Sequence, residues 1–522
     1  MRFRRALAVR RAVDFDKQRR GVRSTPLYVM GMTLLFVSVG MILSALIEWA
    51  STDRDTMALA VSGLLTLGLG VLLWSASQPG SVRARDVFAA VGWTWIVITL
   101  LGALPFILAG TFDLGATSMA EQIVNSIFES ASGYSCTGST ALQDFDSPGR
   151  GLMMYRQATQ WYGGMGVVVL AVAVLPFLGV GGLDLMSAEA PGPSSDRLTP
   201  RVAETAKRLW AVYALLTMTV AVALFAVPGP SLYDGLAIGL STASTGGFAP
   251  YSSSIGHYDS VLVEAVIIIG MVIGGINFAH HWRALRGRFS AYGNDPELRA
   301  YLVMLSACTA LVVGLLWLDG GFAFGAALRV GLFNVVALGT STGFGNATSE
   351  VSNGNFILWV PAAQMVLLFL MVVGACAGST AGGIKVMRVQ VLLGHSIRSV
   401  RRTQQPRAVI PVRQGSRAVS EDIVSRVAGF FVLYLLLVLS GIVILTGLGA
   451  GLLESIGAIV GSLSNMGPAL GEAGPTASFS VAFSQPARLV LALLMIIGRL
   501  EIFPIMLMFA GPARALRYRW FS

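Results

Sequence analysis

YDGLAIGLSTASTGGF, residues 233–248, is a moderately apolar run of about a dozen residues that stops at a Thr-Gly-Gly turn. As a helix it would rise about 18 Å, short of the roughly 30 Å hydrocarbon core of a bilayer. Three other segments share the pattern: NSIFESASGYSCTGST (125–140), GLFNVVALGTSTGFGN (331–346) and ESIGAIVGSLSNMGPAL (454–470). Set side by side, they align Gly138, Gly246, Gly343 and Gly467. The repeat is weak by identity and strong by pattern: a full-length apolar run, a half-length one, a glycine turn, and a second full-length run.

Outward from these segments, ten stretches are long and apolar enough to cross a membrane: 26–50, 57–77, 87–110, 155–179, 209–228, 261–282, 300–318, 357–378, 427–448 and 486–510. They must be helices, because a lipid-facing backbone has no water to satisfy its N–H and C=O groups. Of the 522 residues, 54% are hydrophobic and 12% charged, against roughly 25% charged in soluble domains. That balance excludes an ordinary soluble enzyme and a disordered chain alike. The expected fold is an all-α polytopic membrane protein, with four fused helix, pore-loop, helix repeats around a central pore and two additional amino-terminal transmembrane helices. The boundaries read as a basic cytoplasmic amino terminus (1–24), the two extra helices (25–80), pore repeats at 87–180, 208–285, 299–397 and 426–511, and a cytoplasmic linker at 398–425.

The net charge of +10 is explained by where the charges fall. Nine Lys and Arg precede residue 24, and the apolar run after them is far longer than a signal-peptide core of ~7–15 residues. No small-x-small cleavage site follows, so it reads as a retained first span. With the amino terminus inside, 31 of 37 basic residues fall on the cytoplasmic side. Five lie at the outer boundary (Arg54, Arg150, Arg156, Arg329, Arg488) and one, Arg499, within a span. The positive-inside rule then puts both termini in the cytoplasm. The basic excess is therefore a topology signal rather than a nucleic-acid footprint, although part of it could face a partner or anionic lipid. Three distant cysteines make no disulfide framework, and His257, His280, His281 and His395 form no HExxH. Neither GxSxG nor GxxxxGK[ST] occurs, so hydrolase and ATPase readings lack a motif.

Non-helical backbone at membrane depth is tolerated where it is buried in protein or lines a watery cavity. Four glycine turns meeting on one axis can aim carbonyl oxygens inward, since glycine accepts backbone angles that a side chain penalises. Rings of carbonyls of this kind replace the hydration shell of a monovalent cation. The candidate filter is Cys136, Thr137 and Gly138; Thr245 and Gly246; Thr342 and Gly343; and the divergent Asn465, Met466 and Gly467. Ordinary surface turns are the alternative, disfavoured by four in register. Acidic residues near these outer segments (Glu129, Asp144, Asp146, Asp234, Asp259, Glu350, Glu454, Glu472) would concentrate cations at the mouth.

Two features lie deeper. GACAGSTAGG (374–383) interrupts the eighth span, and its glycines either break the helix or, as overlapping GxxxG motifs, pack it closely. Arg499 lies about midway along the last stretch, where a charge costs about 2.5–3.5 kcal/mol or more unless paired or wet. Glu501, two positions on, points elsewhere on a helix and is not its expected partner.

RQATQWYGGMGVVVLAVAVLP (156–176), EAPGPSSDRLTPRVAETAKRLW (189–210), GINFAHHWRALRGR (275–288), GACAGSTAGGIKVMR (374–388) and GRLEIFP (498–504) resemble the TrkH-type membrane subunit of bacterial Trk potassium uptake systems. The resemblance covers nearly the whole chain, and the two extra spans favour it over the shorter Ktr-type subunit. It implies potassium as the transported ion, no organic cofactor and no enzymatic activity, in a homodimer of the bacterial inner membrane. It also implies an intramembrane gate built from Gly374, Gly378, Ser379, Thr380, Gly382 and Gly383 beneath the filter, with Arg499 as a positive barrier beside it. Control would come from a TrkA-type cytosolic nucleotide-binding subunit, received by the basic loops at 197–208, 283–299 and 385–426. Glycine in all four filter positions looks like the potassium-selective pattern, whereas some plant relatives carry serine in the first repeat and favour sodium. A sodium-coupled transporter with broken helices is the rival, and would need an inverted repeat and a midplane carboxylate.

Overall fold

The computed structural model of the chain describes residues 22–78, 84–115, 117–173, 198–415, 417–475 and 477–502. Most of the expected basic amino terminus, the stretch 174–197 and the basic cluster after residue 513 lie outside the described residues. Sixteen helices of eight residues or more occur among the described ones. They are α1 (Thr25–Ser51), α2 (Thr56–Ala76), α3 (Ala84–Gly102), α4 (Met119–Tyr134), α5 (Arg150–Ala173), α6 (Leu198–Phe225), α7 (Leu232–Ala243) and α8 (Val261–Gly274). The series continues with α9 (Phe278–Leu285), α10 (Pro296–Leu318), α11 (Phe324–Gly339), α12 (Pro361–Val373), α13 (Val386–Gln404), α14 (Glu421–Gly447), α15 (Leu452–Ser464) and α16 (Gln485–Arg499). Strand pairing among the described residues is confined to two ladders of two residues, Val22–Arg23 with Ser77–Gln78 and Arg413–Gln414 with Arg417–Ala418.

Among the described residues, six helices are long and apolar enough to cross a membrane, and a seventh crossing arises if α8 and α9 count as one span bent by 100°. Three of the ten sequence-derived spans are therefore corrected. The stretch 261–282 breaks at Gly275–Asn277, where the Asn277 side chain caps α9 by accepting from the Ala279 N–H. The stretch 357–378 holds only the 13-residue α12, because Gly374 takes φ +70°, a left-handed angle that ends a helix. In the last stretch α16 ends at Arg499, and Glu501 and Ile502 both have positive φ; residues 503–510 lie outside the described residues.

The half-length segments are indeed short helices: α4, α7, α11 and α15. Side-chain caps fix the starts of α4 and α7, whereas α11 and α15 begin at Ala323 and Gly451 without one. Ser118 accepts from the Glu121 N–H at 3.2 Å, and Ser231 with Asp234 forms a reciprocal capping box. From Phe128 to its end every residue of α4 is buried, as is every residue of α15 from Gly457 onward. The long helices instead leave one face open, as with Leu64, Leu65 and Leu72 of α2, the arrangement expected when lipid is the solvent. Apolar packing follows the repeats: one cluster joins α1, α3, α4 and α5 to α14, α15 and α16, a second centres on α10 to α12, and a third on α6 to α8.

The α1–α2 hairpin is held by glycines, for example Gly31, where a Cβ would come within 2.6 Å of the Trp74 nitrogen. It docks by capping α5: the Gly149 N–H donates to Asp55 Oδ2 at 2.7 Å and the Gly151 N–H to Glu48 Oε2 at 2.5 Å. Two carboxylates thus satisfy N–H groups at the positive end of α5.

Candidate ion path and gate

Each short helix ends in the same backbone device. Cys136, Thr245, Ser341 and Asn465 have φ of 54°, 50°, 55° and 53°. The N–H of the following residue reaches back five positions: Thr137 to the Ser132 oxygen, Gly246 to Ser241, Thr342 to Ala337 (each 2.9 Å) and Met466 to Gly461 at 2.8 Å. Next come Gly138, Gly247 and Gly343 at φ +90°, +85° and +80°, with Gly467 in the fourth repeat. The backbone register therefore equates Gly138 with Gly247, and Gly246 takes the place of Thr137, Thr342 and Met466. This corrects the sequence alignment by one residue; two adjacent glycines are indistinguishable by identity, and only the dihedral angles separate them.

The four turns close on one another in order. A Cβ on Gly138 would lie 2.2 Å from the Gly246 oxygen, and one on Gly247 would lie 2.0 Å from the Thr342 oxygen. One on Gly343 would meet Pro468 Cδ at 2.8 Å, and one on Gly467 would meet the Gly138 carbonyl carbon at 2.7 Å. Only glycine permits this head-to-tail approach, and the fourth turn returns to the first. Four helix carboxyl ends converge on the ring, and their partial negative charge favours a cation there.

Residues behind the ring hold it. Gln160 donates from Nε2 to the Gly246 oxygen at 2.7 Å, and its Oε1 accepts from Ser241 Oγ at 2.6 Å and from the Phe248 N–H at 3.1 Å. Ser139 Oγ donates to the Gly467 oxygen at 2.8 Å. Glu129 and Arg156 form a buried ion pair at 2.6 Å, 1% and 2% exposed. The Glu129 carboxylate also accepts from the Ala141 N–H at 2.8 Å, while Arg156 donates to the Ala249 oxygen at 3.0 Å and stacks 3.5 Å from the Phe248 ring centre. Glu129 and Asp234 are thus buried structural acceptors rather than charges of an outer mouth. In the third repeat the position of Glu129 is occupied by Asn334, whose Nδ2 donates to Asn346 Oδ1 at 2.9 Å. In the second and fourth repeats it is the buried apolar pair Ile238 and Ala458.

The 374–385 segment packs against the other side of the four turns. Gly374, Gly378, Gly383 and Lys385 all have positive φ, so the chain here is a folded loop. It pairs with the α8–α9 break: the Cys376 N–H donates to the Gly275 oxygen and the Phe278 N–H to the Gly378 oxygen, both at 3.1 Å. Thr380 Oγ1 donates to the Ala243 oxygen at 3.1 Å and lies 3.2 Å from Thr245 Oγ1. The Gly382 N–H donates to Ser341 Oγ at 2.6 Å, and a Cβ on Gly382 would come within 1.9 Å of the Ser464 oxygen. Ser379 stays within the loop, donating from Oγ to the Cys376 oxygen at 2.6 Å. Glu297, in the first turn of α10, ties both ends, accepting from the Ala377 N–H at 2.7 Å and the Met387 N–H at 3.1 Å.

Arg499 ends α16 rather than standing midway along a helix, and its guanidinium is buried. It donates to the Thr380 oxygen at 2.8 Å, to Cys136 Sγ at 3.1 Å and to the Gly163 oxygen at 3.3 Å, joining the 374–385 loop, the first turn and α5. Its Nε has no hydrogen-bond partner among the described residues. Glu501 pairs instead with Arg388; it is not the partner of Arg499, although the reason is that the helix has already ended and Glu501 has φ +60°. The histidines take interfacial partners: His280 pairs with Asp295 at 2.7 Å and His281 with the Tyr292 hydroxyl at 2.7 Å. The Gln160 strut and the Glu129–Arg156 and Glu297 clamps escaped the sequence reading, since each joins residues on separate elements; the one available signal was polar residues inside otherwise apolar stretches.

Known proteins resemble the chain over almost all of its length. The family model described as "TrkH: Cation transport protein" matches residues 56–516. A Trk system potassium uptake protein TrkH from Halomonas elongata is 37% identical over 487 residues, covering 92% of this chain and 97% of that protein. The Escherichia coli K12 protein of the same description is 34% identical with the same coverage. Among solved structures, the potassium transporter TrkH from Vibrio parahaemolyticus superposes with a TM-score of 0.81 at 31% identity, covering 92% of this chain and 97% of that one. With a family match over most of the chain and relatives above 30% identity along nearly their whole length, this membrane protein belongs to the TrkH family of cation transport proteins and is not an enzyme.

Proposed function

We propose that the chain takes up potassium across the bacterial inner membrane through the ring of Gly138, Gly247, Gly343 and Gly467. The observation that carries this reading is the closed order of the ring, in which each turn abuts the next so tightly that a single Cβ would collide. Backbone carbonyl oxygens brought together in a ring can replace the water around a monovalent cation. The relatives described as potassium uptake proteins support potassium as cargo. The 374–385 loop is the gate, since it fills the side of the ring opposite the short-helix starts, and Arg499 adds positive charge where a cation would leave.

Both termini face the cytoplasm, and two protomers form the working unit. Exposed Arg286, Arg288, Arg401, Arg402, Arg407 and Arg413 present a basic surface to a TrkA-type nucleotide-binding subunit. The test is growth rescue at limiting potassium in a cell lacking potassium uptake, with and without a TrkA-type subunit. Rescue is expected only with this chain, and more strongly with the subunit. Failure in both conditions, with the protein inserted in the membrane, overturns the proposal.

A further inference from the structure

The four residues at the left-handed position of each turn, Cys136, Thr245, Ser341 and Asn465, differ in identity and share no motif. Their equivalence emerges only from φ and the five-residue hydrogen bonds. All four are at most 2% exposed, and every one meets the gate. Cys136 Sγ accepts from Arg499 at 3.1 Å, Thr245 Oγ1 donates to Thr380 Oγ1 at 3.2 Å, and Ser341 Oγ accepts from the Gly382 N–H at 2.6 Å. Asn465 packs against Gly382, where an added Cβ would lie 3.0 Å from its own Cβ. Asn465 also donates to Thr137 Oγ1 at 3.2 Å, tying the fourth turn to the first.

We propose that Cys136, Thr245, Ser341 and Asn465 form a ring of latches that couples the filter to the gate, one positioning side chain per repeat. The inference rests on the reading of this path as the potassium route and of 374–385 as its gate. Withdrawal of the loop must break the Thr245 and Ser341 hydrogen bonds together, and release of Arg499 frees Cys136. The gate therefore leaves as a unit, and each turn one residue above a latch is steadied by the same bonds that hold the gate shut. Polar identity with a short side chain is what each position requires, because the latch sits two residues before a glycine of the ring.

The test uses the full-length protein in liposomes and in detergent. Removing one buried hydrogen bond shifts a two-state equilibrium by roughly fivefold. Ser341→Ala is expected to raise basal rubidium uptake by about that factor with the sodium-to-potassium ratio unchanged, and to speed amide exchange at Gly382 by a similar factor. Ser341→Thr should restore both, since Thr245 already occupies the equivalent backbone position. Thr245→Val and Thr380→Val should each raise uptake, and the double variant by less than the two effects combined; Thr380→Val breaks the shared contact from the gate side, together with its bond to the Ala243 oxygen. Unchanged exchange at Gly382, or additive effects in the Thr245–Thr380 cycle, overturns the latch ring. Wild-type uptake no greater than that of empty liposomes overturns the potassium reading instead, and the exchange measurement still decides the latches.

Discussion

Arg499 concentrates the residue-scale questions. Its two terminal nitrogens reach the loop, the first turn and α5, and it has no carboxylate among its hydrogen-bond partners. Arg499→Ala is expected to raise basal rubidium flux severalfold while leaving ion preference in place; unchanged flux at equal expression would remove the barrier role. For the filter, Gly138 and Gly247 face neighbouring carbonyls at distances that admit no Cβ. Gly138→Ser and Gly247→Ser should both widen the ring and admit sodium, read as a higher sodium-to-potassium permeability ratio. If only Gly246→Ser has that effect, the backbone register proposed for the second repeat is wrong. The Glu129–Arg156 pair makes a separate prediction about stability. Glu129→Leu strands a buried guanidinium and is expected to cost about 3–5 kcal/mol, measured as a fall in the unfolding midpoint, with Glu129→Leu/Arg156→Met recovering much of the loss. That pair was hidden in the sequence because a carboxylate and a guanidinium 27 positions apart carry no periodic signature. The glycines were visible there, and only their register was ambiguous.

At the scale of elements, the interruption at 374–383 was legible because glycines at this density weaken a helix. The α8–α9 break was not, since apolar residues run through Gly274, Gly275 and Ile276 and only Asn277 hints at a new cap. Similarly, nothing before Arg499 announces that α16 stops there. The loop and the break complete each other through backbone bonds in both directions, which is how two irregular segments remain satisfied at membrane depth. Glu297 extends this support to the loop's ends. Glu297→Ala is expected to release the Ala377 and Met387 amides, seen as faster exchange at both, and to raise basal flux; Glu297→Gln, which retains an acceptor oxygen, should behave close to wild type. Equal exchange in wild type and Glu297→Ala would show that α10 does not restrain the gate.

Across the whole molecule, hydropathy overstated how many continuous helices build the fold. The difference has a physical source: a pore needs irregular backbone at its centre, and glycine-rich apolar sequence looks alike whether it crosses or folds back. The proposed sidedness is testable at exposed points such as Val351 and Val409. In a variant with its native cysteines removed, Val351→Cys should react with a membrane-impermeant maleimide from outside intact cells, and Val409→Cys only after permeabilisation. The reverse pattern would invert the topology. The groups behind the ring decide how it responds to load. Its first and third turns are backed by Glu129 and Asn334, the second is held by Gln160 through the Gly246 oxygen and the Phe248 N–H, and the fourth by Ser139 through the Gly467 oxygen. Directional hydrogen bonds resist sideways displacement more than apolar contacts do. An oversized ion would therefore strain hydrogen bonds behind every one of the four turns, so the ring resists stretching on all sides rather than giving way along one diagonal.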